Sequence, residues 1–256
     1  LLVLAAIQGI TEFLPISSSG HLVLGQHLLG LEQEGVFADV MLHLGTLGAV
    51  AVFYRRDLGR LGRGFFARGD QGPPARLYVG WLVLGTLPAA VVGLTLEDSI
   101  EAAFGRPGLV LGLMALTGVL LFATRRLSRR DEPLTARRAL LIGCAQALAI
   151  LPGFSRSGWT IATGLALGLS PVEAARFSFL LSLPAILGAV VLQLAGGAQG
   201  GLTGGLLAAM LVSLGVGLAS LAWLVRLVRD MALHRFAWYP VSYTHLRAHE
   251  TVLDLV

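Results

Sequence analysis

Two short polar stretches interrupt a sequence that is otherwise strongly apolar. The first, QGITEFLPISSSGH at residues 8–21, contains a carboxylate, three consecutive serines and a histidine. The second, LPGFSRSG at residues 151–158, contains an arginine between two serines. Polar and ionisable side chains are costly inside a membrane and usually mark a functional site there. We therefore take these two stretches as the candidate site.

The first stretch has the spacing of a helix that ends in a polar turn. Gln8 and Glu12 are four residues apart, so they share one face of a helix. Pro15 ends that helix, and a second helix is expected to begin near Gly20. His21 then lies in its first turn, where an imidazole can exchange a proton. The serines of the turn, which add hydroxyl donors or a nucleophile, are Ser17, Ser18 and Ser19.

The second stretch has a similar turn and adds a cation. Arg156 carries a planar fork of donors that suits a phosphate. It is flanked by Ser155, Ser157 and Gly158, and the amides at a helix N-terminus attract anions. Two such turns that face each other would hold a phosphate or diphosphate group. A carboxylate and an imidazole nearby favour cleavage of that phosphate over simple transport.

The composition places this chemistry in a membrane. Of the 256 residues, 55% are hydrophobic and 13% are charged, whereas soluble domains have about 25% charged residues. The net charge is +4, and every basic residue is an arginine. These arginines cluster between apolar segments, which indicates membrane orientation and argues against nucleic acid as a partner. The single cysteine, Cys144, excludes an internal disulfide and a multi-cysteine metal site.

The distribution of charge predicts the topology. The segments that approach the membrane-spanning length of about 20 residues are 36–54, 77–96, 107–124, 174–195 and 203–225. The positive-inside rule places the arginine-rich loops 55–76, 125–138 and 226–235 in the cytoplasm, and 32–34, 97–106 and 196–201 outside. These assignments agree only if regions 1–31 and 139–169 each enter and leave on one side, as re-entrant segments.

The two re-entrant regions are related by an offset of 138 residues. This offset carries Gln8 onto Gln146, Ser17 onto Ser155, Ser19 onto Ser157 and Gly20 onto Gly158. Three predicted spanning helices separate the regions, so the second copy is inverted relative to the first. We predict an all-α polytopic membrane protein: an inverted-topology repeat with two re-entrant helix pairs and multiple transmembrane helices.

A single membrane domain is expected over residues 1–240. Repeat one covers about residues 1–124 and repeat two about 139–240. We expect the final helix of the second copy to be missing, because the chain turns polar where that helix would lie.

The motifs QGITEFLPISSSGHLVLG and LPGFSRSG, with LHLGTLGAV between them, closely resemble those of the undecaprenyl-diphosphate phosphatase family, known for bacitracin resistance. The similarity ends near residue 240, and the polar tail 241–256 does not resemble the family. The resemblance implies removal of the terminal phosphate of undecaprenyl diphosphate, which regenerates the lipid carrier of cell-wall synthesis. It also implies a multi-pass protein of the bacterial cytoplasmic (inner) membrane, with an active site that opens to the outer side.

The resemblance further implies roles for particular residues. The catalytic set is Glu12, Ser18, His21 and Arg156, and the substrate-binding set is Gln8, Ser17, Ser19, Gly20, Ser155, Ser157 and Gly158. A divalent cation, Mg²⁺ or Ca²⁺, is implied as a cofactor. Glutamine at position 8, where the family has Glu or Gln, weakens metal ligation by charge there. The sequence alone shows no metal cage, and a cation shared by Glu12 and the diphosphate is compatible with it.

The sequence is compatible with more than one nucleophile and more than one function. The nucleophile is Ser18, His21 or a water molecule. A polyprenyl-phosphate transporter or flippase would also have inverted repeats with broken helices, although it needs no general base. A structural membrane subunit would leave Glu12, His21 and Arg156 unexplained. A homodimer is compatible with the sequence.

Single residues also have structural interpretations. Glu12 could serve only to pair with Arg156, and Ser17 and Ser19 could bond only to backbone. His43, which lies inside an apolar segment, is interpreted as structural.

Overall fold

A computed structural model of the protein describes residues 1–22, 35–70, 72–195 and 203–239. Within these ranges the chain is helical and contains no strand. The predicted loops at 32–34 and 196–201 and the polar tail 241–256 lie outside the described residues.

The helices are α1 (Leu2–Thr11), α2 (described over residues 18–22), α3 (Gly35–Phe53), α4 (Arg55–Phe66), α5 (Gly72–Thr95), α6 (Glu97–Phe104), α7 (Pro107–Ala123), α8 (Ala136–Leu148), α9 (Arg156–Ala166), α10 (Pro171–Ala195) and α11 (Gly204–Arg229). Two 3-10 helices cover Thr124–Arg126 and Leu233–Ala237.

Four helices of the described residues are long and apolar enough to cross a membrane. They are α5, α7 with the 3-10 turn that follows it, α10 and α11. A fifth crossing is reached if α3 and α4, which are bent by 73°, count as one broken span. These helices correspond to the apolar segments of the sequence, so the predicted class of an all-α polytopic membrane protein is confirmed.

The arginine-rich segment 55–76 differs from the prediction, because α4 occupies its first part. Leu58 and Leu61 of α4 pack against the main core, whereas Arg56, Arg60 and Arg63 are exposed. An amphipathic helix of this kind suits a membrane surface. Its two leucines lie singly among arginines and glycines, so the sequence predicts a loop here. The predicted loop 97–106 likewise contains the short helix α6.

Helices of one copy of the repeat pack against helices of the other copy. Helix α1 packs against α11, and α8 packs against α5. Helices α1 and α8 are the re-entrant helices related by the 138-residue offset, and α5 and α11 are the second long helices of their copies. Each re-entrant helix therefore lies on a long helix of the other copy, an arrangement that suits an inverted repeat.

Glycine allows the closest of these approaches. A Cβ atom on Gly143 of α8 would lie 2.2 Å from the Gly85 carbonyl oxygen of α5. A Cβ atom on Gly9 of α1 would lie 2.9 Å from the carbonyl oxygen of Ser213 in α11. Small residues at such positions let membrane helices approach each other closely. The re-entrant helices are thereby held firmly, and the turns that follow them are placed side by side.

Candidate active site

Both predicted breaks are present. α1 ends at Thr11 and α2 begins at residue 18, while α8 ends at Leu148 and α9 begins at Arg156. Each break starts slightly earlier than the predicted residues 14 and 151. Glu12 nevertheless keeps helical backbone angles, and its amide donates to the Gln8 carbonyl at 2.9 Å. The predicted alignment of these two side chains on one face is therefore preserved.

The two turns are closed by the same serine cap. Ser17 Oγ accepts a hydrogen bond from the Gly20 amide at 3.4 Å, and Ser155 Oγ accepts one from the Gly158 amide at 3.2 Å. A serine at this position satisfies an amide that the helix itself leaves unpaired. The equivalence predicted from the offset therefore holds in three dimensions. The amides of both glycines are already used by these caps.

The two turns also match in the spacing of their serine hydroxyl groups, but they differ in backbone conformation. The Oγ atoms of Ser17 and Ser19 are 3.3 Å apart, as are those of Ser155 and Ser157. Ser17 has a φ of 71°, in the left-handed region that is rare for a serine. Ser155 has an ordinary extended conformation with φ of −90°. The first turn is thus the strained member of the pair, and such strain often accompanies function.

Glu12 is the point at which the two copies meet. Its Oε1 accepts a hydrogen bond from Arg156 Nη2 at 2.6 Å, although the two residues are 144 positions apart in sequence. Its Oε2 accepts from Ser18 Oγ at 2.7 Å and from Gln8 Nε2 at 3.2 Å. We call these four residues the Glu12 cluster. The cluster joins a carboxylate, a hydroxyl and a cation within direct hydrogen-bond reach.

The ion pair between Glu12 and Arg156 is buried, and two neighbouring polar atoms are unpaired within the described residues. The side chains of Glu12 and Arg156 are only 5% and 15% exposed. Two atoms of the cluster, Arg156 Nη1 and Gln8 Oε1, are buried and have no hydrogen-bond partner in the described part of the chain. Leaving a buried polar atom unpaired costs about 1–3 kcal/mol. These two atoms are the donor and the acceptor that a polar ligand at the cluster would use.

The contact between Ser18 and Glu12 has the geometry of an activated nucleophile. A serine hydroxyl is weakly reactive unless a neighbouring base takes its proton. The 2.7 Å separation of Ser18 Oγ and Glu12 Oε2 lies within the range for such a pair. The structure therefore favours Ser18 over its neighbours Ser17 and Ser19, whose hydroxyls are 3.3 Å from each other.

His21 makes its contacts beside the Glu12 cluster. Its Nδ1 lies 2.6 Å from the Ser17 carbonyl oxygen, and its Nε2 lies 2.7 Å from the Tyr239 hydroxyl. Ser17 is adjacent to Ser18, so His21 is tied to the same turn. The predicted catalytic residues thus form one directly bonded group, Glu12 with Ser18 and Arg156, and a neighbouring imidazole.

Comparison with known proteins identifies the family. The family model described as bacitracin resistance protein BacA matches residues 1–244. The chain belongs to the BacA family. The family resemblance predicted from the paired motifs is therefore confirmed. The matched residues include Tyr239.

The chain is also similar over nearly its whole length to proteins named undecaprenyl-diphosphatase. The protein from Rubrobacter xylanophilus is 44% identical, with 96% of this chain and 95% of that protein covered. The proteins from Trichlorobacter lovleyi and Geobacter metallireducens are 44% and 43% identical. In both cases 93% of this chain and 92% of the relative are covered.

Two residues outside both sequence motifs support the BacA site. Thr117 Oγ1 accepts hydrogen bonds from Trp159 Nε1 at 3.2 Å and from the Ser155 amide at 3.4 Å, so α7 holds the second turn. Tyr239 contacts His21. A lone threonine in an apolar helix and a tyrosine near the end of the chain carry no pattern that would point to the turns.

His43 was interpreted as structural, and one of its contacts has that character. Its Nδ1 lies 2.8 Å from the Asp39 carbonyl oxygen one turn earlier in α3. His43 is also close enough to Glu12 to interact with it electrostatically. The residue therefore belongs to the surroundings of the Glu12 cluster, which its mid-helix position in the sequence did not indicate.

A divalent cation would find few protein ligands at this site. Among the described residues, no group of three or more His, Cys, Asp or Glu side chains is arranged to hold a metal. The oxygen atoms of the cluster that could bind a cation are those of the Glu12 carboxylate, the Ser18 hydroxyl and the unpaired Gln8 Oε1. Mg²⁺ is commonly held by one or two carboxylates together with substrate phosphates. The residues therefore fit a cation whose coordination is completed by a phosphate.

Proposed function

We propose that this BacA-family chain is an integral membrane phosphatase that hydrolyses undecaprenyl diphosphate to undecaprenyl phosphate and inorganic phosphate. The observation that carries the proposal is the buried Glu12 carboxylate, which is bonded at once to the Ser18 hydroxyl and to Arg156. The names of the relatives at 43–44% identity support the same activity. The reaction recycles the lipid carrier of cell-wall synthesis and accounts for bacitracin resistance.

The geometry supports a covalent mechanism. Ser18 Oγ attacks the terminal phosphorus, and Glu12 Oε2 accepts the hydroxyl proton across their 2.7 Å contact. The bond between the terminal phosphorus and the bridging oxygen breaks, and undecaprenyl phosphate leaves. A water molecule then attacks the phosphorus of the phosphoserine, the bond to Ser18 Oγ breaks, and Glu12 returns its proton to Ser18 Oγ, which restores the hydroxyl and the carboxylate and releases inorganic phosphate as H₂PO₄⁻. His21 serves as a second proton-exchanging group through Nε2.

Arg156, which belongs to the second copy of the repeat, balances the negative charge on the phosphoryl group. Arg156 Nη2 is bound to Glu12, so Nη1, which is buried and has no other described partner, binds the phosphoryl oxygens. Helix α9 begins at Arg156, and the positive end of a helix dipole favours an anion bound near that residue. Fixed donors of this kind stabilise charge that develops in the transition state.

A divalent cation, Mg²⁺ or Ca²⁺, is part of the proposal. Glu12 and Gln8 would hold it, and when bound it would supply neutralisation of the diphosphate charge. Chelation of divalent cations is expected to lower phosphate release by the purified protein roughly 10-fold or more. Restoration of the rate by Mg²⁺ or Ca²⁺ checks the prediction. An undiminished rate in excess chelator would contradict it.

Hydrolysis is distinguished from transport by an assay without a membrane barrier. The inverted arrangement of the two copies would also suit a transporter or flippase. In detergent micelles there are no two compartments, so a transporter alone leaves the diphosphate intact. We expect the purified chain in detergent to release inorganic phosphate in equal amount to undecaprenyl phosphate. Unchanged undecaprenyl diphosphate would favour the transporter.

The proposed location is the bacterial cytoplasmic membrane, with the site open to the outer side. The arginine-rich ends of the helices then face the cytoplasm. A homodimer stays a prediction.

Labelling of single cysteines tests the orientation after Cys144, whose thiol is exposed, has been replaced. Ser99→Cys is expected to react with an impermeant thiol reagent added to intact cells, whereas Gly62→Cys and Asp131→Cys are not. The opposite labelling pattern would overturn the assignment. All three positions are exposed in the structure, so access through the protein does not limit the reaction.

A further inference from the structure

One side chain outside both turns contacts the imidazole of the site. Tyr239 Oη lies 2.7 Å from His21 Nε2, across 218 positions of sequence. The two rings are nearly parallel, with an interplanar angle of 22° and centroids 5.5 Å apart. The segment that carries Tyr239 follows the 3-10 helix Leu233–Ala237, which packs against α7. Tyr239 is thus presented to His21 by tertiary structure.

The second contact of His21 defines its tautomer. Its Nδ1 lies 2.6 Å from the Ser17 carbonyl oxygen, and a carbonyl oxygen can only accept. Nδ1 therefore carries a hydrogen, and in the neutral imidazole Nε2 holds the lone pair. Nε2 is consequently the atom that takes up a proton, and it is the atom that Tyr239 contacts.

A tyrosine hydroxyl is suited to both protonation states of that atom. It donates a hydrogen bond to the lone pair of neutral Nε2, and it accepts one when Nε2 is protonated. Nε2 has one lone pair, so while the contact persists a proton reaches Nε2 from the Tyr239 hydroxyl, which takes up another proton from the site in exchange. A phenylalanine ring would keep the ring contact and lose both hydrogen bonds.

We propose that Tyr239 is a positioning residue for His21: it holds the imidazole in the orientation in which Nε2 receives and releases its proton through the Tyr239 hydroxyl. The proposal rests on the proposed phosphatase function for its effect on the rate. It assigns a role to a residue of the C-terminal segment, which neither of the two sequence motifs contains.

The kinetic test is a double-mutant cycle on phosphate release. Tyr239→Phe is expected to lower kcat about 5- to 10-fold, the effect of one lost hydrogen bond, while KM changes by less than about twofold. In a His21→Ala background, Tyr239→Phe should have no further effect, because the residue acts through His21. An equal loss in both backgrounds, or a wild-type kcat for Tyr239→Phe, would overturn the proposal. Trp238→Phe, whose indole contacts Phe122 with centroids 6.3 Å apart, is the matched control and should keep the wild-type rate.

A spectroscopic readout separates failure of this proposal from failure of the phosphatase function. The nitrogen-15 spectrum of the His21 side chain reports which ring nitrogen carries hydrogen, whether or not phosphate is released. We expect both chains to show Nδ1–H, because the Ser17 carbonyl contact is kept, and Tyr239→Phe to shift the Nε2 resonance to that of a lone pair without the tyrosine hydrogen bond. Identical spectra for both chains would overturn the positioning role, even if the wild-type chain proves to be a phosphatase.

Discussion

Replacing Arg156 with lysine is expected to remove most undecaprenyl diphosphate hydrolysis while the protein still folds and inserts. Arg156 Nη2 is bound to Glu12 at 2.6 Å, and Nη1 is buried with no partner in the described ranges. The guanidinium thus offers one arm to the carboxylate and the other to the phosphate. Lysine is a compact point charge that cannot reproduce this planar fork. Arg156→Ala should be slower than Arg156→Lys, with a rate about 10²-fold or more below that of the wild type, because the charge on the phosphoryl group is left uncompensated.

The measurement is the initial rate of phosphate release by purified variants of matched thermal stability. Arg176→Lys is the matched control. Its guanidinium forms ion pairs with Asp57 at 3.0 Å and Glu173 at 3.3 Å and takes no part in the Glu12 cluster. If Arg156→Lys keeps more than about half of the wild-type rate, which corresponds to less than about 0.5 kcal/mol of barrier, the two-armed role is wrong.

Glu12→Gln is expected to lower turnover by about 10²-fold or more, the effect of losing a positioned base. The amide keeps the size of the side chain and an oxygen that can accept from Arg156. It cannot take the proton of Ser18, whose hydroxyl lies 2.7 Å from the carboxylate. The substitution therefore separates a catalytic carboxylate from one that only pairs with Arg156. A purely structural Glu12 would leave most of the rate in the variant.

The control for this change removes a carboxylate from a different ion pair. Glu173→Gln removes the charge that pairs with Arg176, outside the Glu12 cluster, and should leave phosphate release within about twofold of wild type. The double variant Glu12→Gln with Ser18→Ala should be no slower than the slower single variant, because the two residues act as a unit. A rate loss in the double variant equal to the product of the two single losses would show that the two residues act independently.

Local spacing made the centre of the site predictable. Gln8 and Glu12 were placed on one face by their separation, and the structure joins them by a 3.2 Å hydrogen bond. The offset between the copies predicted that Ser155 is the counterpart of Ser17, and in the structure both serines cap their turns. The prediction that two remote turns face each other followed from the inverted repeat, and the contact between Glu12 and Arg156 joins those turns. These inferences succeeded because each rests on regular helix geometry or on a repeated local structure.

Other features depend on contacts that no local pattern records. Thr117 supports the second turn from a helix that reads as uniformly apolar, and Tyr239 reaches His21 from near the end of the described chain. Helix α4 was missed for a different reason. Its leucines are outnumbered by arginines, so the charge signal of a cytoplasmic segment concealed the helical one.

Initial rates of phosphate release from undecaprenyl diphosphate, measured side by side for the wild-type chain and Glu12→Gln in detergent, test most directly whether the Glu12 cluster performs this hydrolysis. We predict that the wild-type chain releases one phosphate for each undecaprenyl phosphate formed. The variant, with an unchanged melting temperature, should be slower by about 10²-fold or more. A wild-type chain that releases no phosphate, or a variant as fast as the wild type, would contradict the proposed role of this cluster.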